Sequence, residues 1–224
     1  MAIADNINKI LAGHDTSRFS LIAVSKNHPV TSVQEAYQSG QRHFGENKVQ
    51  EMTEKQSQLP SDIFWHMIGH LQSNKVKYIA PFVYMIHSVD SLRLLQLINK
   101  EAFKNNRVIN CLLQLHIARE ETKHGMSWQE IEDLLSSTQL ADLKNISVKG
   151  LMAMATNTDD LAVVRQEFRE VKQYFELMKE KYNHLDNADF KEISMGMSGD
   201  YEIALDEGST LIRVGSSIFG SRNY

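Results

Sequence analysis

Apolar positions along this chain fall into two alternating rhythms. Short apolar or alternating runs bounded by turn residues predict strands at 20–26 (SLIAVSK), 42–46 (RHFGE), 64–69 (FWHMIG), 84–89 (YMIHSV), 109–117 (INCLLQLHI), 148–155 (VKGLMAMA), 191–197 (KEISMGM) and 210–220 (TLIRVGSSIFG). Between them the period lengthens to three and four. Thr31 and Gln34 predict a capping box that opens a helix with Val33, Ala36 and Tyr37 on one face and a stop at Gly40. Asp90 predicts the cap of another helix, which carries Leu94, Leu95, Ile98 and Ala102. The longest pattern runs through Leu161, Val164, Phe168, Val171, Phe175, Met178 and Tyr182. It covers only about three heptads and lies between two strands, so it predicts an outer helix packed on a sheet rather than a coiled coil.

Strands alternating with helices imply parallel pairing with right-handed crossovers, and about eight such units fit a closed (β/α)8 barrel, an α/β fold of TIM type. A doubly wound open sheet is the alternative, but no G-x-G-x-x-G fingerprint follows the first strand. The 224 residues, 42% hydrophobic and 23% charged, fit a single domain over 1–224 with an ample core. Lys and Arg number 24 against 28 Asp and Glu, for a net charge of -4 without a long run of either sign. That leaves no electrostatic footprint for nucleic acid. No apolar run approaches the roughly 20 residues that span a bilayer, and MAIADNINKILAGHD lacks the parts of a secretion signal. No membrane partner and a cytoplasmic location are expected. Cys111 stands alone, so no intrachain disulfide forms; its setting in VINCLLQLH predicts a buried strand residue rather than a nucleophile.

The first candidate for chemistry is Lys26, which ends the apolar run Leu21 to Val24 just before the turn signal Asn27-His28-Pro29. Its plain reading is a solvated charge that snorkels past the core. In a barrel, however, strand ends gather at the C-terminal face, where chemistry collects, and Lys26 then sits at the mouth. The last two strands finish in Gly and Ser, so Ser198, Gly199, Gly215 and Ser216 could present backbone N–H groups and hydroxyls to a phosphate. Arg213 precedes Gly215 by two residues, and alternation points both toward the barrel interior or mouth; an interior salt bridge is the plain alternative. His66, His70 and Glu46 lack a convincing metal geometry, and the two histidines are expected to satisfy polar groups near the mouth. Met152, Met154, Met195 and Met197 are expected to fill the barrel interior. The segment AREETKHGM, with Lys123 before Gly125, reads as a solvated loop or a lid.

Ordered motifs spread over nearly the whole chain carry a family resemblance. LIAVSKNHPV, HFGENKVQE, WHMIGHLQSNK, HSVDS, ETKHGM, KGLMAMA, ISMGMSGDYEIAL and GSTLIRVGSSIFGSRNY resemble the pyridoxal-phosphate homeostasis proteins, single-domain relatives of the alanine racemase N-terminal barrel. The resemblance implies a fold type III barrel in which Lys26 carries pyridoxal 5'-phosphate as an internal aldimine. It further implies that Ser198, Gly215 and Ser216 hold the phosphate, that Arg213 faces the pyridine nitrogen, and that Asn47 and Met197 occupy cofactor-side positions. The function it implies is storage, protection or delivery of the cofactor inside the cell, with pyridoxal-phosphate-dependent apoenzymes as recipients and a monomeric state. A guanidinium only donates, so the ring nitrogen facing it would be unprotonated and the ring a weaker electron sink. Related racemases take a second base, a tyrosine, from a C-terminal domain of a partner subunit. This chain ends at Tyr224 directly after the last strand, so racemase turnover is expected to be absent or feeble. Two alternatives stay open: an amino-acid racemase, and a Schiff-base aldolase that holds a sugar phosphate on Lys26.

Overall fold

Aliphatic and β-branched runs flanked by turn formers become eight strands: β1 Ser20–Val24, β2 His43–Glu46, β3 Phe64–Met67, β4 Met85–Val89, β5 Ile109–Gln114, β6 Ile146–Met152, β7 Ala188–Ser194 and β8 Leu211–Val214. The computed structural model describes residues 2–118 and 125–220. Helices occupy the connections: α1 Ile3–Leu11, α2 Val30–Gln38, α3 Val49–Gln56, α4 Val76–Ile79, α5 Leu92–Lys104, α6 Trp128–Ser136, α7 Thr138–Ala141, α8 Leu161–Lys181, α9 Tyr201–Asp206 and α10 Ser216–Phe219. Every strand pairs in parallel with its sequence neighbour, and β8 returns to β1 to close the barrel, in register from Ser20 opposite Leu211 to Ala23 opposite Val214. Among the described residues, no helix is long and apolar enough to cross a membrane.

Alternation along the strands sorts side chains into two cores. Leu21, Ala23, Ile193 and Ile212 face outward and join the buried faces of the helices, including Leu94, Leu95 and Ile98 of α5 and Phe168, Val171 and Phe175 of α8. Each large side chain buried this way contributes roughly 1.5–3 kcal/mol, so the outer shell carries most of the stability. Ile22, Met85, Leu112, Met152 and Leu211 form a separate cluster inside the barrel. Met154 packs against that inner cluster, but Met195 belongs to the outer core and Met197 is 41% exposed, so only half of the four methionines expected inside lie there. Cys111 is fully buried in β5, and burial pushes its thiol up, far from a thiolate.

The strands end earlier than the apolar runs suggest. β1 stops at Val24, β3 at Met67 and β5 at Gln114, and among the described residues only one further backbone bond to the neighbouring strand follows each end: Ser25 to Gly45, Ile68 to Glu46 and Leu115 to Met152. β7 runs from Ala188 to Ser194, since Gly196, with φ +92, turns the chain out of the sheet. The expected strand 210–220 is two elements: after Val214 the backbone leaves the extended region at Gly215 and enters the single turn of α10. Two helix starts also differ. α2 begins at Val30 behind Pro29 with no side-chain cap, so Thr31 lies inside its first turn and forms no box with Gln34. α5 is capped by Ser91, whose Oγ accepts the Leu94 N–H, while Asp90 accepts from the Ser91 hydroxyl. Leu161 opens α8 on the exposed side, and the remainder of its stripe is buried as expected. Lys123 and Tyr224 lie outside the described residues.

Gly150 sits at the register slip between β6 and β7 with φ +144, and a Cβ there would meet the Glu192 carbonyl oxygen at 2.0 Å and the Phe175 ring at 2.9 Å. Gly150→Ala is expected to lower stability by about 3 kcal/mol or more, read as a reduced urea midpoint. A loss below about 1 kcal/mol would mean that the sheet can shift to admit the methyl group.

Candidate functional site

Parallel strands place all their C-terminal ends on one rim, and closure makes β7, β8, β1 and β2 consecutive along it. Lys26 lies two residues past β1, Asn47 directly past β2, Met197 and Ser198 past β7, and Gly215 and Ser216 past β8. Residues from both ends of the chain thus share one arc of the mouth. Ser198 Oγ accepts the Gly215 N–H at 3.2 Å, which ties the loops after β7 and β8 together. A Cβ on Gly215 would lie 3.1 Å from the Val24 carbonyl oxygen, so a residue without a side chain lets this loop pass close to the strand that carries Lys26. Ser216 opens α10, whose first amides have no intrahelical acceptor. Lys26, Asn47 and Ser198 are half-buried. Met197 is exposed and borders a cavity of about 570 Å³ with Met154, Leu161, Val164 and Asp200.

The backbone around Lys26 is clamped from below. Lys55 Nζ, buried in α3, donates to the Ser25 carbonyl, Glu46 Oε1 and Glu51 Oε1, each at 2.7 Å. Ser25 Oγ donates to the same Glu46 oxygen at 2.6 Å, and Glu51 Oε1 accepts the Asn27 N–H at 2.6 Å. The peptide groups on both sides of Lys26 are therefore held by one ion-pair network. Asn27 takes the left-handed conformation, φ 63, which asparagine tolerates better than most residues. Glu46 is fully buried, and burial pushes its carboxyl above the usual carboxylate range against the pull of Lys55. The signal for this clamp was the spacing of Glu51 and Lys55, one turn apart on a helix. Its pairing with Glu46 and Ser25 depends on packing between β1, β2 and α3.

Arg213 points into the barrel and is only 5% exposed. Its Nη1 donates to the Ser194 carbonyl at 2.7 Å and to Ser194 Oγ at 2.6 Å, and its Nη2 donates to the Ala153 carbonyl at 3.0 Å. A guanidinium has five N–H donors, so these three bonds leave donor capacity for a ligand. The salt bridge weighed for this residue does not form: among the described residues no carboxylate makes an ion pair with it. Burial pulls its pKa down to about 10. This donor set suits a planar anion with an unprotonated ring nitrogen, and Lys26 adds an amine within the same mouth.

The histidines depart from expectation. His66 is not at the mouth but fully buried inside the barrel, with Nε2 2.9 Å from His43 Nδ1 and Nδ1 2.8 Å from His87 Nε2. His87 Nδ1 lies 2.9 Å from Ser194 Oγ. His70 does stand near the rim, 3.5 Å from Asp90. Among the described residues no group of three metal-binding side chains converges. Burial holds His66 and His87 well below the ordinary histidine value.

A family model described as the alanine racemase N-terminal domain matches residues 1–223. The pyridoxal phosphate homeostasis protein of Aquifex aeolicus is 37% identical over 214 residues, covering 95% of this chain and 91% of that protein. PipY of Synechococcus elongatus, solved with pyridoxal phosphate bound, superposes with a TM-score of 0.88 at 35% identity, covering 97% of this chain and all of that one, 100%. An alanine racemase from Streptomyces lavendulae shares the fold alone, with a TM-score of 0.77 at 15% identity over 98% of this chain and 56% of its own.

Two outcomes follow from the buried charges. Lys55→Met strands the buried Glu46 carboxylate and is expected to cost about 3–5 kcal/mol in chemical unfolding, with Glu46→Gln recovering part of the loss in the double variant. For His66 and His87 the unfolded chain binds protons below about pH 6.5 that the folded chain refuses. Stability should therefore fall progressively with acid below about pH 6.5, by up to about 1.4 kcal/mol per pH unit for each histidine, and be insensitive to these two groups above it. Urea titrations at stepped pH test this, and an acid-insensitive midpoint would contradict neutral buried imidazoles.

Proposed function

The chain belongs to the alanine racemase N-terminal domain family, among the pyridoxal phosphate homeostasis proteins, and we propose that it holds pyridoxal 5'-phosphate covalently on Lys26 as an intracellular reserve. The observation that carries this reading is the closure of β8 on β1, which sets Lys26 beside the tied loops of Ser198 and Gly215, with Arg213 buried in the barrel. When bound, the cofactor supplies an aldehyde and an electron-withdrawing ring. Lys26, on a backbone held by the Lys55 clamp, would hold the cofactor through its amine. Ser198, Gly215 and Ser216 offer hydroxyl and amide donors to the phosphate, and Asn47 and Met197 border the ring. Arg213 donates to the ring nitrogen.

Arg213 also bears on what the site does. Because a guanidinium donates and does not accept, it favours an unprotonated ring nitrogen and so weakens the ring as a sink for carbanion charge. That supports holding, although racemases of this fold work with the same arrangement and it is a second base that separates turnover from holding. Lys26 is half-buried among the described residues, and transfer from it to apoenzymes that need the cofactor is part of this reading.

The test is the visible absorbance of the purified protein before and after borohydride, with Lys26→Ala beside it. The expected result is a band that borohydride removes, a reduced pyridoxyl group mapped to Lys26, and no label in the variant. A wild type that stays colourless after added pyridoxal phosphate would overturn the reading. Exchange of an amino acid's α-proton at rates well above those of free cofactor would favour the racemase alternative.

A further inference from the structure

The barrel interior contains a continuous polar chain that the proposed function does not use. It begins at His43, the half-buried first residue of β2 at the barrel floor, and passes through His66 of β3 to His87 of β4. From His87 it crosses the barrel to Ser194 at the end of β7 and reaches Arg213 of β8. His66, His87 and Ser194 are each 0% exposed. Around its floor end stand Phe64, stacked on His43 with ring centroids 4.8 Å apart, and Tyr84, edge-on to both His43 and His66 at 5.8 and 5.3 Å.

The direction of every proton in this chain follows from one end. Arg213 cannot accept, so Ser194 Oγ accepts from it. Were His87 also to donate to Oγ, the buried serine hydroxyl would face two donors and leave its own proton without an acceptor among the described residues, a cost of about 1–3 kcal/mol. Ser194 therefore donates to His87 Nδ1. His87 then carries its proton on Nε2 and donates to His66 Nδ1, and His66 likewise donates through Nε2 to His43 Nδ1. His43 Nε2–H is left facing the floor. Each link thus turns its electron-rich side toward a buried guanidinium that makes no ion pair among the described residues, where the Asp200 carboxylate is the one charge that favours its protonated form, and the dipoles reinforce one another in the buried interior.

We propose that His43, His66 and His87 are positioning residues for Arg213: a one-directional relay, anchored through Ser194, that keeps the guanidinium charged and donating toward the cofactor ring nitrogen. The proposal rests on the assignment of Arg213 to that nitrogen. Its distinctive consequence is that a change at the floor reaches the mouth without moving the backbone. If His43 no longer accepts, His66 relieves its stranded N–H by shifting the proton to Nδ1, His87 must follow, and Ser194 then meets two donors.

Long-range proton–nitrogen correlation spectra of the full chain labelled with ¹⁵N-histidine read the tautomers directly, first without and then with pyridoxal phosphate. In the wild type near neutral pH, His66 and His87 are expected as neutral Nε2–H tautomers. In His43→Leu both should shift toward Nδ1–H, with cofactor affinity reduced about tenfold and the band of the bound cofactor displaced, whereas His43→Asn, which keeps an acceptor, should retain both properties. Ser194→Ala removes the anchor at the other end and should release His87 to a mixture of tautomers. Nδ1–H or imidazolium forms of His66 or His87 in the wild type would overturn the relay, as would tautomers and affinity unchanged in both His43→Leu and Ser194→Ala. Failure of the function reading looks different: with the expected tautomers but no cofactor binding by the wild type, the link from Arg213 to a ring nitrogen is overturned while the direction of the chain is upheld.

Discussion

Pairing of β8 with β1 is the constraint on which the rest depends. Four backbone positions on each strand, Ser20 to Ala23 and Leu211 to Val214, join the two ends of the sheet. A parallel sheet left open would expose two edges and could not surround an interior; closure removes both and forces the strands to end on a common rim. The loop after Val214 is thereby brought against the strand leading to Lys26, closely enough that Gly215 has no room for a side chain without displacing its neighbours. The same closure creates the inner compartment in which Arg213, Ser194 and the histidines meet.

Two buried polar networks flank the mouth, and they solve different problems. Lys55 is held among Glu46, Glu51 and the Ser25 carbonyl, outside the barrel wall, where opposite charges neutralise one another. Such a cluster adds little net stability compared with apolar packing, but it specifies one conformation for the backbone on either side of Lys26. Arg213 makes no such ion pair among the described residues, although the Asp200 carboxylate favours its charge. Two carbonyls, a hydroxyl and a line of neutral imidazoles surround its charge, an arrangement that leaves guanidinium donors over for a ligand, where a carboxylate would have competed for them.

Much of this was legible in one dimension. Short apolar runs bounded by turn residues located all eight strands, because strands buried between the barrel interior and the helical shell must be apolar on both faces. The α8 stripe from Val164 to Met178 was equally plain. Boundaries were less so, for where a strand leaves the sheet depends on tertiary packing as well as on its own residues; the run 210–220 resumes apolar residues at Ile218 and Phe219 after Gly215-Ser216-Ser217, where the backbone has already turned into α10. Thr31 and Asp90 have the chemistry of caps, yet Pro29 and Ser91 hold those positions. The placement of His66 failed for a related reason. Its own segment suggested a residue near the mouth, and only the register of β2, β3 and β4 shows that the positions beside it inside the barrel hold His43 and His87.

The sequence by itself determined the alternating strands and helices, the closed barrel they imply, and the residues able to form a mouth with an amine, small donors and an arginine. Those properties follow from local periodicity and residue chemistry, which act over a few positions at a time. Tertiary structure alone decided that Lys55, one turn beyond Glu51 on α3, is buried beneath Lys26, and that three histidines from successive strands line up with Ser194 behind Arg213. Those contacts join residues as far apart as His87 and Ser194, and whether such groups meet depends on strand register, barrel closure and the depth to which each side chain reaches.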